Sequence, residues 1–342
     1  MLVHPLKLVT ISLFAVAALL SGPAIVPSAR GEDKQNAAQK KEDASKKADA
    51  SPKGTSPKED PPPEPENKIF DTADGVRLHA TFYPGMKEKD SVPVILIHDL
   101  KSNRKGYHEL ALYLQKRGCA VLAPDLRGHG ESIRAEGLAH AISPDRMKVE
   151  QFEAIAGQEG DVEACKKFLM EKNNQGELNI EKLCVIGAGM GAIVAADWAV
   201  LDWSWPPLTT GKQGQDVKAL VLISPIWSAR GLFLGPASQT RPFQSVFSTM
   251  ILVGEKDKKS RKCADRLAKI IERFNENATA DDIKERTFFY QKLDTSLGGM
   301  NMLDEKSLKV PELIAHFIEL RLIDQKLLWK ERKRPFDMKR KK

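Results

Sequence analysis

An α/β architecture, with a mostly parallel sheet flanked by helices, is the fold class that the sequence predicts. Three observations carry it. Strand-like and helix-like stretches alternate along the chain from residue 92 onward. Runs such as "VPVILIH", "KLCVIG" and "ALVLIS" are apolar almost throughout, as strands buried on both faces are. Ahead of them, "IFDTADGVRLHATFYP" reads as two strands joined at Asp74-Gly75, which adds an antiparallel hairpin at one edge.

In order, the hairpin from Ile69 leads to a strand at 92–98 and a helix over 107–117, whose apolar positions include Leu110, Leu112 and Leu114. "AVLAPD" (120–125) is the next strand and ends in a glycine-rich loop, "LRGHGES". A helix over 159–171 precedes the strand 182–187, and a sharp turn there opens a helix from Gly191. Strands at 219–224, 249–254 and 286–293 follow, with a helix over 260–274 between the last two and a closing helix from Val310. Only about 20 residues, 229–248, are left for a lid, so little or no cap domain is expected. In such sheets function sits in loops beyond the C-terminal strand ends.

The chain has 342 residues, 42% apolar and 29% charged, which excludes a wholly disordered or fibrous protein. Its formal charge of +7 is unevenly placed. Residues 1–31, with Lys7, the apolar run Leu8–Leu20 and Ala29-Arg30-Gly31, read as a signal peptide, so the chain is expected to be exported. The run is short of the ~20 residues of a membrane span, although an uncleaved signal would leave an anchor. Residues 32–67, rich in Lys, Glu, Asp, Ala, Ser and Pro, read as a disordered tether. Residues 326–342 hold nine basic and two acidic residues and read as a solvated basic tail, a possible contact for an anionic surface; the domain between, 68–325, is neutral. No nucleic acid is expected, because aromatics that stack bases are few in the tail. Cys119, Cys165, Cys184 and Cys263 lack the close spacing of a zinc site and read as buried free thiols, so neither metal nor cofactor is implied.

The order of elements, His98 after a buried strand, "PDLRGHGES" (124–132) and "VIGAGMGA" (185–192) together resemble the α/β-hydrolases, in particular the monoacylglycerol-lipase, dienelactone-hydrolase and serine-aminopeptidase-like members. The resemblance spans about 68–325. It implies hydrolysis of ester, lactone or peptide bonds by a serine on a strand-to-helix turn, a histidine base and an orienting carboxylate. At the turn stand Gly187-Ala188-Gly189-Met190-Gly191, so the nucleophile position holds Gly189, which has no side chain to acylate. Asp257 stands where the resemblance puts the acid. The base belongs in "DTSLGGMNML" (294–303), with Leu297 or a close neighbour at its place. Relatives carry His-Gly after the third strand, where this chain has His98-Asp99-Leu100, and a carboxylate there opposes an oxyanion. Backbone N–H groups of Leu100 and Met190 still point to the oxyanion place, and His98, Arg127 and His129 read as loop braces.

The reading favoured by these substitutions is a pseudoenzyme that binds a small ligand or protein partner, or serves as a scaffold. An active hydrolase using unorthodox residues, with Ser102, Ser132 or Ser224 near strand ends, is the alternative. A lesser one is a dinucleotide site, because Gly187-x-Gly189-x-x-Ala192 satisfies the G-x-G-x-x-G/A pattern after a strand.

Overall fold

The computed structural model describes residues 61–209 and 211–332. The signal peptide, nearly all of the tether and residues 333–342 of the tail lie outside the described residues. Among the described residues, nine strands form one sheet. Eight of them, β1 (Glu66–Asp71), β2 (Val76–Tyr83), β3 (Val92–Ile97), β4 (Cys119–Pro124), β5 (Leu183–Ala188), β6 (Val217–Ile223), β7 (Ser248–Gly254) and β8 (Phe288–Leu293), lie in the spatial order β1-β2-β4-β3-β5-β6-β7-β8, and a two-residue strand, Arg134–Ala135, pairs antiparallel with β2. The first two are the expected hairpin, and β2 is antiparallel to β4; from β4 to β8 every pairing is parallel.

All residues of β3, β4, β5 and β7 are buried, which is why these segments are apolar without alternation. β1 alternates half-buried and exposed positions, as an edge strand does. Helices α1 (His108–Gln115), α2 (Asp161–Asn174), α3 (Met190–Ser204), α4 (Lys258–Phe274) and α5 (Val310–Ile318) cover the sheet. One core layer lies where α3 and α4 pack, around Trp198, Leu220 and Leu267; the other lies under α1 and α5, around Tyr107, Leu114 and Phe317. Between β6 and β7 sit only a two-residue hairpin (Ser228–Ala229 with Leu232–Phe233), the short helix Leu234–Ser238 and one turn at Pro242–Val246, so the lid is small. All four cysteines are free and buried.

Residues 326–332 are not the solvated tail that the sequence suggests. They lie against the body: Asn179 donates to the Leu327 carbonyl, the Trp329 indole donates to the Asn173 carbonyl, and Lys89 sits 4.1 Å over the Trp329 ring. Arg332 is buried and pairs with Asp216 and with Glu181 at 2.8 Å. That pairing completes a network in which Lys166 meets Asp202 and Asp216, and Lys212 meets Asp216 and Glu181. Three acids converging in a largely buried place need cations, and the chain's own C-terminal segment supplies one.

Candidate functional site

The site lies where β3 and β5 end side by side. β5 turns into α3 through Gly189, whose φ of 55° and ψ of −115° are the strained geometry of a strand-to-helix elbow, tolerated without cost by glycine. The flanking glycines are required by packing. A Cβ on Gly187 would fall 2.2 Å from the Gly191 carbonyl oxygen, and one on Gly191 would fall 2.3 Å from that of Ile97. The elbow therefore persists in full although its central side chain is missing.

Asp99, the second residue after β3, is turned into this elbow. Its Oδ1 accepts hydrogen bonds from the Leu100 and Met190 backbone N–H groups, both at 2.7 Å. Those are the two donors that the sequence points to the oxyanion place. Its other oxygen occupies the space over the elbow: a Cβ on Gly189 would fall 2.1 Å from Oδ2, and one on Gly299 would fall 2.8 Å from it. Burial pushes the Asp99 carboxyl up, while the two N–H donors and the field of Lys259 draw it back. The glycine-rich turn is thus no open anion site, since a carboxylate of the same chain already takes the Met190 donor.

On the far side, Asp257 caps α4, with Oδ1 accepting from the Ser260 N–H at 3.2 Å. The residue of the last loop that faces it is Gly298, where a Cβ would fall 2.5 Å from Asp257 Oδ2. Its neighbour Leu297 is half-buried and packs against the core layer under α5. Asp99 and Asp257 thus each face a glycine of the same loop.

The expected braces are in place. His98 is fully buried, its Nε2 accepts from the Leu126 N–H at 3.0 Å, and its Nδ1–H donates to the Asp99 carbonyl at 2.8 Å. Burial pushes its pKa down to about 4, so the ring is neutral and this tautomer is the one both contacts require. Arg127 binds Asp161 through its backbone N–H and its side chain, and reaches Asp74 in the hairpin turn at 2.6 Å. His129 Nδ1–H donates to the Arg127 carbonyl at 3.0 Å, and its ring lies edge-on to His98 with centroids 5.1 Å apart. Burial lowers its pKa as well.

Two of the three serines, Ser132 and Ser224, are buried and hydrogen-bonded. Ser132 accepts from the His79 N–H, and Ser224 lies against the Met302 sulfur at 3.0 Å, although its hydroxyl is only 3.7 Å from where a Cβ on Gly298 would lie. Ser102 follows the oxyanion loop, its N–H bonded to the Asp99 carbonyl at 3.0 Å. For the dinucleotide reading, Asp202 and Asp216 belong to the buried ion network rather than to a strand end facing a ribose, and Asp99 blocks the turn. The Asp99 contact was within reach of the sequence, since an acid replaces the small residue beside two predicted donors; its direction was not.

The sequence matches the family described as serine aminopeptidase, S33, over residues 89–310, more than half of the chain. The chain belongs to that family. Among solved structures, an esterase of Pyrococcus furiosus is similar at 16% identity over 76% of this chain and 92% of that one, with a TM-score of 0.53. Fungal esterases from Rhizomucor miehei are similar at 13% identity over 77% of this chain and 85% of the fungal chain, with a TM-score of 0.52. At these identities the likeness speaks for the α/β-hydrolase fold alone. A comparison with curated proteins returns no match.

Proposed function

We propose that this chain is an exported, non-hydrolytic member of the S33 family that keeps the hydrolase scaffold and has closed its own oxyanion hole. The observation that carries the reading is the Asp99 carboxylate, which accepts both amide N–H groups at 2.7 Å. Acyl transfer needs those donors free for the negative charge that develops on the substrate oxygen. Here a substrate carbonyl would first have to displace a fixed negative charge. Glycine at 189 supplies no nucleophile, and Gly298 no base beside Asp257. Lost hydrolysis with an intact elbow, braces and core supports a scaffold that presents its surface to a partner. The apolar run Leu8–Leu20 supports export.

The test is incubation of the purified protein with p-nitrophenyl esters, aminoacyl p-nitroanilides and a fluorophosphonate probe. No turnover above the buffer rate and no labelling are expected. Labelling that disappears on substituting a single serine sinks the reading. One geometric feature favours a second reading: Asp99 Oδ2 lies where a serine side chain would reach. An acyl or alkyl adduct on Asp99, seen by mass spectrometry of the ester-treated protein, would establish that alternative. Export is checked by N-terminal sequencing of the mature protein, which on this reading begins near Gly31.

A further inference from the structure

Although residues 68–325 are neutral in sum, their charge is not evenly spread. Helix α4 carries seven Lys or Arg against two acids. Lys258, Lys262, Arg266, Lys269 and Arg273 recur at intervals of four, four, three and four, and with Lys259 they fall within about 100° of arc at 3.6 residues per turn. All six are exposed. The opposite side of the helix, with Cys263, Ala264, Leu267, Ala268 and Ile271, is buried against the sheet. The stripe runs ~22 Å along the surface at 1.5 Å per residue.

Most of these charges are unspent. No carboxylate lies within 4.0 Å of Lys258, Lys262 or Lys269 among the described residues. The acids of the helix lie to one side of the stripe, and Asp265 is already taken by the Tyr290 hydroxyl and by Lys292 at 3.2 Å. Arg266 is pinned flat over the Trp227 ring at 3.6 Å. At the far end of the helix Phe274 is 49% exposed, with Arg273 5.3 Å from its ring.

We propose that the outer face of α4 docks this domain on an anionic lipid surface. A line of mostly ammonium groups on flexible stems, with no ring of amides around one point, suits many weak headgroup contacts better than one tightly held anion. An exposed aromatic at the end of a basic helix matches what interfacial helices present to the headgroup boundary. On the proposed export, the signal-like run Leu8–Leu20 brings the chain to a membrane in the first place.

The test is partition of the full-length protein between phosphatidylcholine vesicles and vesicles containing phosphatidylglycerol. Taking the ratio of the two removes any contribution of the apolar N-terminal run, which does not discriminate headgroup charge. Wild type is expected to prefer the anionic vesicles, and the preference should weaken with salt. The triple variant K258Q/K262Q/K269Q should lose on the order of 100-fold of that preference, with an unchanged thermal melt. The matching Lys→Arg triple variant should retain it. An unchanged ratio in the Gln variant, or no anionic preference in wild type, overturns the proposal. Loss only on deleting 333–342 assigns the contact to the tail instead and overturns it too. So does inorganic polyphosphate binding that exceeds vesicle binding, which would make the partner a soluble polyanion.

Discussion

A side chain that fills its own protein's oxyanion hole must satisfy two demands at once, hydrogen bonding and shape. Asp99 meets the first through Leu100 and Met190 and the second by occupying the volume over Gly189. Asp99→Asn keeps the acceptor oxygen and removes the charge. Because burial raises the Asp99 carboxyl in the folded state, its contribution is greatest below the unfolded value near 3.9 and is lost as pH rises through the folded value. The stability of the Asn variant relative to wild type should therefore improve as pH climbs from about 4, measured by urea unfolding at several pH values; a flat difference would contradict it. His98 acts in the opposite sense. Its folded pKa of about 4 lies below the unfolded 6.5, so its stabilisation is complete above 6.5 and is lost as pH falls toward 4. Wild type should lose roughly 3 kcal/mol more than His98→Gln across that window; equal slopes would show the ring is not held neutral. The sequence made Gly189, Asp257 and the two backbone donors legible, because a motif with one residue missing still marks its place. It could not show that Asp99 turns inward rather than into solvent, since that depends on the exact path of β3 beside the elbow, nor that Gly298 rather than Leu297 faces Asp257.

Among the elements, the strands and helices were the readily legible part, because buried parallel strands are apolar end to end and their boundaries fall at glycines and charges. The C-terminal segment was the part that misled. Its composition reads as a solvated tail, yet Trp329 and Arg332 dock, and the partners that hold them lie more than a hundred residues away at Asn173 and Asp216. No local signal announces such a contact. Truncation before Lys326 should cost about 1.5–3 kcal/mol, because it strips the Arg332 hydrogen bonds from Asp216, which keeps Lys166 and Lys212. Truncation before Lys333 should change stability by less than about 0.5 kcal/mol, within the range of ordinary surface changes. Equal effects in urea denaturation would show that the segment is not a structural strap. Charge gave a similar lesson: a neutral sum concealed the basic face of α4, because a net count says nothing about which side of a helix its lysines share.

For the whole molecule, four free cysteines are kept from solvent by burial. Burial pushes Cys119 and, against the opposing charge of Arg266, Cys263 up to about 12. A thiol-reactive disulfide reagent should modify none of them in the native state within minutes and all four in guanidinium; fewer than four under denaturation would reveal a disulfide. The Asp99 carboxylate and a side chain at position 189 compete for one space over the elbow. A double-mutant cycle on global unfolding tests it most directly. Gly189→Ser alone should destabilise by about 2–5 kcal/mol through overpacking and backbone strain. With Asp99→Gly in the background the overpacking part should vanish, leaving a coupling of at least ~1 kcal/mol. Additive effects of the two substitutions would contradict the account.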